Sequence, residues 1–223
     1  MKLETKGVSR SYFRNGRGTN FFRAVEPVDF TLEEGSVSVI VGKSGSGKTT
    51  LINMLSGLLT PTEGQVLLDG RALYEMSDRD RSRLRSRLYG IIPQGQTGLQ
   101  SFTVLENVLL PVLMTGEKNK TEEALALLGA LGMEELCEVY SNELSGGELR
   151  RMSIARALIN APKLIIADEP TGDLDYETTL LVMNLLKSHA QKGASVLIVT
   201  HDKDVVTFAD RNYQMEKGVL TEI

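Results

Sequence analysis

The chain has 223 residues, 41% of them hydrophobic and 24% charged, with a formal net charge of −4. That length and balance describe one large folded domain, or a domain with a sizeable insert, and exclude a disordered or fibrous chain. The negative total argues against a nucleic-acid partner, and the single cysteine, Cys137, excludes an intrachain disulfide or a cysteine metal cluster.

Leu3 to Val8 alternates as a β-strand, and Met1-Lys2-Leu3-Glu4-Thr5 shows no apolar signal segment. Arg14–Asn20 reads as a polar loop, and Phe30-Thr31-Leu32 alternates again before a turn at Glu33-Glu34-Gly35. Val37–Val41 is a short β-rich run. It leads into Gly42-Lys43-Ser44-Gly45-Ser46-Gly47-Lys48-Thr49, a phosphate-binding loop of the form GxxxxGK followed by Ser or Thr. Its glycines let successive N–H groups wrap a polyphosphate, and the following helix adds its positive end. Lys48 can reach the β- and γ-phosphates, and the Thr49 hydroxyl can hold Mg²⁺. From Thr50 onward Leu51, Met54, Leu55 and Leu58 recur at helical spacing, with Thr60-Pro61 as the stop.

Gly64 to Gly70 is a further strand, and the arginines of residues 78–88 read as a solvated helix face rather than an anion site. Gln94 follows the strand end Tyr89-Gly90-Ile91-Ile92-Pro93. A neutral amide there can share Mg²⁺ or an attacking water, with Gln96 and Gln100 as competitors. Thr103 to Met114 is apolar and broken by Pro111, and Thr121-Glu122-Glu123-Ala124 looks like a helix cap. Ser145 and Glu148 have capping-box spacing, and Ser145, Gly146 and Gly147 at a helix start also form an anion site. Leu164-Ile165-Ile166-Ala167 is an apolar strand ending in Asp168 and Glu169. Ligands in such sheets sit at the carboxyl ends of strands, so Asp168 is expected beside Mg²⁺ and Glu169 beside a water it can deprotonate. His201 ends the strand Val196–Thr200, where a ring N–H can contact a phosphate. His189, in a polar helical stretch, has no assigned role.

Short apolar runs separated by helices imply a parallel sheet buried on both faces. The fold class expected is α/β. It has a nucleotide-binding core over 1–94 and 161–223, an N-terminal antiparallel β part, and an inserted helical lobe at about 95–160. No stretch approaches the roughly 18–20 apolar residues of a membrane span, so a cytoplasmic protein is expected.

Taken together, Gly42–Thr49, Gln94, Leu144–Glu148, Leu164–Glu169, Gly172-Asp173-Leu174-Asp175 and His201 resemble the ordered motifs of ATP-binding cassette ATPases. They resemble the Walker A loop, Q-loop, signature, Walker B, D-loop and switch histidine over nearly the whole chain. The resemblance implies a P-loop ATPase binding ATP and Mg²⁺. It implies nucleotide contacts from Gly42 to Thr50, from Ser145, Gly146, Gly147 and Glu148, and from Asp173. Tyr12 sits where the family's adenine-stacking aromatic falls, with Phe13 as the neighbouring candidate. Glu148 stands where the signature often has Gln. Metal contacts are implied for Thr49, Gln94 and Asp168, and catalytic roles for Lys48, Gln94, Glu169 and His201. The implied partners are a second copy of the chain, sandwiching two ATP, and a transmembrane permease that holds the subunit on the inner face of the membrane. The motif Asp168–Asp175 resembles the lipoprotein-release, macrolide-export and peptide-resistance group. Segment 95–102 departs from that group's common form and is expected to face the permease. The rival readings are a regulatory cassette that switches a membrane partner without transport, a soluble cassette acting on DNA or ribosomes, and a small-molecule kinase.

Overall fold

The computed structural model describes residues 1–13, 21–95, 97–117, 119–172 and 174–223. The polar stretch Arg14–Asn20, the competitor Gln96 and the candidate Asp173 lie outside the described residues.

Among the described residues there are two sheets. The antiparallel sheet has the order β2-β1-β4-β5, from β1 (Leu3–Phe13), β2 (Phe21–Leu32), β4 (Glu63–Leu68) and β5 (Arg71–Ala72). The larger sheet has the order β10-β9-β3-β8-β7-β6, from β3 (Val37–Val41), β6 (Tyr89–Ile92), β7 (Leu164–Asp168), β8 (Ser195–Thr200), β9 (Arg211–Glu216) and β10 (Val219–Glu222). Its strands β9, β3, β8, β7 and β6 run parallel, and β10 returns antiparallel at the edge.

The apolar runs are explained by burial on both faces. Val196 and Ile198 of β8 enter one core, while Leu197 and Val199 enter the other. Ile165 and Ala167 of β7 likewise oppose Leu164 and Ile166. A strand with a period of two and no wet face leaves its middle positions to apolar residues, and the polar Asp168, Ser195 and Thr200 fall at the strand ends. One core packs the sheet on helices α3 (Val104–Thr115), α4 (Thr121–Ala130), α5 (Gly146–Leu158) and α6 (Tyr176–Gln191). The other packs it on α1 (Lys48–Leu55) and the antiparallel sheet.

Three local expectations are corrected. Helix α1 stops at Ser56-Gly57, before Thr60-Pro61, because Gly57 takes a left-handed φ of 73°. Leu58 therefore leaves the apolar face and is 58% exposed. Pro111 does not break the apolar stretch; it lies inside the continuous helix α3. That helix is started by a complete Thr103–Glu106 capping box and anchored by buried Asn107. The Asn107 amide accepts from Leu99 N and donates to the carbonyls of Leu99, Phe102 and Thr103. These contacts and the packing of α3 on α5 compensate the lost proline N–H, which costs about 3 kcal/mol in an unsupported helix. Finally, Thr121 is the first residue of α4 rather than its cap, and its N–H is satisfied by Asn119 Oδ1 at 3.1 Å.

The arginine-rich segment is helix α2 (Asp78–Leu88), capped by Ser77 and with no buried residue. It is a surface helix, as its charge pattern implied.

Candidate functional site: a phosphate-loop cleft

The loop 42–47 connects β3 to α1 at the carboxyl edge of the parallel sheet. Its shape requires glycine at two positions. Gly47 has φ 108°, and a Cβ there would run into the Ala24 carbonyl. A Cβ on Gly42 would meet the Met215 carbonyl. Gly218 N donates to Ser46 O at 2.9 Å, so the turn between β9 and β10 buttresses the loop from behind.

Helix α1 begins at Gly47 with no side-chain cap and no acid in its first turn. Helices α2, α3, α5 and α6 are instead capped by Ser77, Thr103, Ser145 and Asp175. The leading N–H groups of α1 are thus left for a ligand, and the helix dipole favours an anion there. Lys48 is buried, and its Nζ donates to the carbonyls of Gly42 at 2.7 Å and Lys43 at 3.0 Å.

Across the loop lie the ends of β7 and β8. Thr49 Oγ1 donates to Asp168 Oδ2 at 2.9 Å. Burial pushes the Asp168 carboxyl above the ordinary carboxylate range; the Thr49 bond and the Lys48 charge act against that, and the neighbouring Glu169 adds to it. Glu169 takes a left-handed φ of 51°, a conformation unusual for a residue with a side chain. Its Oε2 accepts from Thr200 Oγ1 at 2.9 Å, and its Oε1 lies 2.9 Å from His201 Nδ1.

These groups line a cleft of about 1170 Å³. Of the residues expected from the sequence, it brings together Tyr12, Lys43, Ser44, Gly45, Gly47, Lys48, Thr49, Thr50, Gln94, Asp168, Glu169 and His201. Gly42 and Ser46 line the adjoining cavity on the far side of the loop. Phe13 is 82% exposed and packed edge-on against Phe21, so of the two candidates Tyr12 is the one in the cleft.

Ser145, Gly146, Gly147 and Glu148 are not in the cleft. They start α5 with a complete capping box: Ser145 Oγ accepts from Glu148 N at 3.4 Å, and Glu148 Oε2 accepts from Ser145 N at 2.7 Å. Those bonds with Ser145 hold the Glu148 carboxyl below its usual range. Ser145 remains exposed.

Several lining residues were missed from the sequence. Phe22 pairs directly with Tyr12 across the β1–β2 ladder and stacks on it at 5.7 Å, visible only once the register is known. Arg150, buried on α5, donates to Pro93 O at 2.7 Å beside Gln94. Thr200, buried behind the cleft at the end of the apolar strand β8, holds Glu169. Lys217 and Gly218 line the cleft from a turn with φ 48° and 86°; a Lys-Gly pair between two short strands carries that signal.

The family model described as ABC transporter matches residues 25–172. The chain belongs to the ABC transporter family. Curated relatives agree. An uncharacterised ABC transporter ATP-binding protein of Methanocaldococcus jannaschii is 38% identical, over 99% of this chain and 98% of its own length. The lipoprotein-releasing system ATP-binding protein LolD of Psychrobacter arcticus is 42% identical, over 97% of this chain and 96% of its own. Among solved structures, a dimeric bacterial ABC transporter cassette superposes with a TM-score of 0.90 at 32% identity, covering 99% of this chain and 98% of that one. A post-hydrolysis state of that cassette, bound to ADP and Pi, gives the same values. This chain is accordingly the ATP-binding and ATP-hydrolysing subunit of an ABC transporter, and the P-loop α/β fold expected from its motifs is the one it has.

Proposed function

We propose that the cleft holds one ATP and that the site is completed by the signature of a second copy of this chain. The observation that carries this reading is the separation of two anion-binding elements. Most of the loop 42–49 lines the cleft, while the exposed Ser145 and the half-buried Gly146 and Gly147 form a helix start outside it. A second chain can bring its own Ser145 onto the phosphate that the first chain holds. The similar cassettes that have been solved as dimers support the arrangement.

In this reading the adenine stacks on Tyr12, a contact worth about 1–3 kcal/mol. Lys48 leaves the Gly42 and Lys43 carbonyls for the β- and γ-phosphates, exchanging neutral acceptors for charged ones. The oxygen donors Thr49, Asp168 and Gln94 fit Mg²⁺, a hard cation. The destabilised Asp168 carboxylate is the feature that fits a cation best, since a positive charge beside it offsets its burial. Bound there, Mg²⁺ would supply charge stabilisation on the phosphates. Glu169 accepts the proton of the attacking water, His201 donates toward the γ-phosphate, and positioning supplies most of the rate. Asp173 is kept as a proposed contact of the two-chain site.

No helix among the described residues is long and apolar enough to cross a membrane. We infer attachment to the cytoplasmic face through a permease, which docks against the groove bounded by α2, β6, α3 and Leu99. We propose extraction or export of an amphipathic substrate, by analogy with the lipoprotein-releasing relatives; those relatives favour transport over the regulatory alternative. The helical lobe at about 95–160 is proposed as the part that moves with the permease. The test is ATPase activity of the chain reconstituted with its permease. Stimulation by a lipidated peptide supports the reading, and activity indifferent to every amphipathic candidate removes the substrate class.

A further inference from the structure

A tight turn joins β9 to β10. Glu216 pairs with Val219 across the ladder, which leaves Lys217 and Gly218 as a two-residue loop. Both take positive φ, 48° and 86°. Asn-Gly or Asp-Gly adopts such a loop readily, whereas a lysine at its first position is held in a conformation that its side chain disfavours. A backbone outlier of this kind points to a use for the side chain. Nothing within the fold supplies that use. Lys217 is exposed, and its side chain makes no hydrogen bond or ion pair among the described residues.

The backbone that carries it is firmly placed. Gly218 N donates to Ser46 O at 2.9 Å, and Gly218 O accepts from Glu26 N at 2.9 Å. The Ala24 carbonyl abuts both Gly47 and Gly218, leaving no room for a Cβ on the first and little on the second. The phosphate loop, β2 and this turn therefore meet at one place. Two residues before Ala24 on β2 stands Phe22, stacked on Tyr12. The turn thus lies between the loop that takes phosphates and the aromatic pair at the base end. Lys217 lines the cleft there together with Ala24, on the crest that divides it from the cavity behind the loop.

We propose that Lys217 is a further nucleotide contact, with its ammonium on the α-phosphate, the phosphate next to the sugar. Lys48 is recessed under the loop and serves the β- and γ-phosphates; Lys217 stands nearer the base. An ammonium on a flexible four-carbon stem suits an exposed phosphate oxygen, where a point charge is enough. The α-phosphate is common to ATP, ADP and AMP. Lys217 therefore adds affinity for substrate and product alike and takes no part in cleavage of the terminal phosphate. A residue of that kind raises KM when it is lost and leaves kcat alone. The proposal rests on the reading that the cleft holds the nucleotide, and adds a residue to that site.

The test compares Lys217→Asn, Lys217→Gly and Lys217→Arg with wild type and with Lys48→Ala, all as the full chain. Asn and Gly fit the turn better than lysine and carry no charge. Their Tm is expected to equal or exceed that of wild type, while affinity for ATP and for ADP falls by one common factor of at least about 5. AMP, measured by competition against a fluorescent ADP, is expected to lose affinity alike. Lys217→Arg keeps the charge and is expected to bind within about 2-fold of wild type. Stability and affinity thus move independently, which a merely structural lysine would not produce. Wild-type affinity in the Asn and Gly variants overturns the proposal. So does a loss that Lys217→Arg shares, a loss that spares ADP or AMP, or a loss accompanied by a lower Tm in both neutral variants. Lys48→Ala separates the two levels. If it too binds ATP as tightly as wild type, the nucleotide lies elsewhere and the cleft reading falls together with the proposal. If it loses ATP while Lys217→Asn does not, Lys217 alone is removed.

Discussion

His201 Nδ1 lies 2.9 Å from Glu169 Oε1, while Thr200 Oγ1 donates to Glu169 Oε2 at 2.9 Å. Both oxygens of the proposed base are therefore engaged by the chain itself. The contact pairs a ring nitrogen of His201 with the oxygen of Glu169 that Thr200 leaves open. Nδ1 becomes available to the γ-phosphate once Glu169 releases it. A γ-phosphate held by His201 Nδ1 would have to replace Glu169 as its partner.

Glu169→Gln is expected to keep ATP affinity within a few-fold of wild type and to slow hydrolysis by at least about 10²-fold, because it removes the base and little else. Single-turnover hydrolysis by the purified variant checks it. Near-normal turnover would remove Glu169 from the reaction.

Thr200→Val tests how that base is held. The hydroxyl bridges Glu169 and the Asp202 N–H within a fully buried strand end. Losing it frees the carboxylate to turn, so kcat is expected to fall about 10-fold or more while KM for ATP stays put. A rise in KM alone would place Thr200 in nucleotide binding instead.

Asp168→Asn should stabilise the nucleotide-free chain. An acid whose pKa is raised by folding costs stability where it is ionised, above its unfolded value of 3.8, and nothing below it. The amide keeps an oxygen for Thr49 and carries no charge to bury. A higher Tm than wild type is expected at neutral pH, with the difference shrinking as the pH falls toward that value. The same variant should lose Mg²⁺-dependent hydrolysis. An unchanged or lower Tm at neutral pH would mean that the carboxylate is not strained.

Lys48→Ala removes a charge placed to meet the β- and γ-phosphates, and the affinity for ATP measured by calorimetry is expected to fall about 10- to 100-fold. Unchanged affinity would move the nucleotide elsewhere.

The phosphate loop was legible because its chemistry is local: glycines, Lys48 and Thr49 stand together, between a strand and a helix. The two-faced burial of β7 and β8 was legible for the same reason, since apolar runs leave no wet face. What failed was tertiary. Pro111 reads as a breaker until buried Asn107 is seen fastening the start of its helix. Leu58 reads as core until Gly57 turns the chain. Thr200 and Arg150 look like a strand end and a helix arginine, and only the fold brings them to Glu169 and Gln94.

The central claim is that Ser145 acts on the other chain's nucleotide. Within its own chain it forms a helix cap, and a cap alone is worth about 0.5–2 kcal/mol of stability. The decisive measurement is light scattering of Glu169→Gln with and without ATP, beside the same protein carrying Ser145→Arg. The account predicts that the single variant becomes a dimer with ATP, and that the double variant binds ATP yet stays monomeric. A double variant that dimerises with ATP as readily as the single one would contradict it.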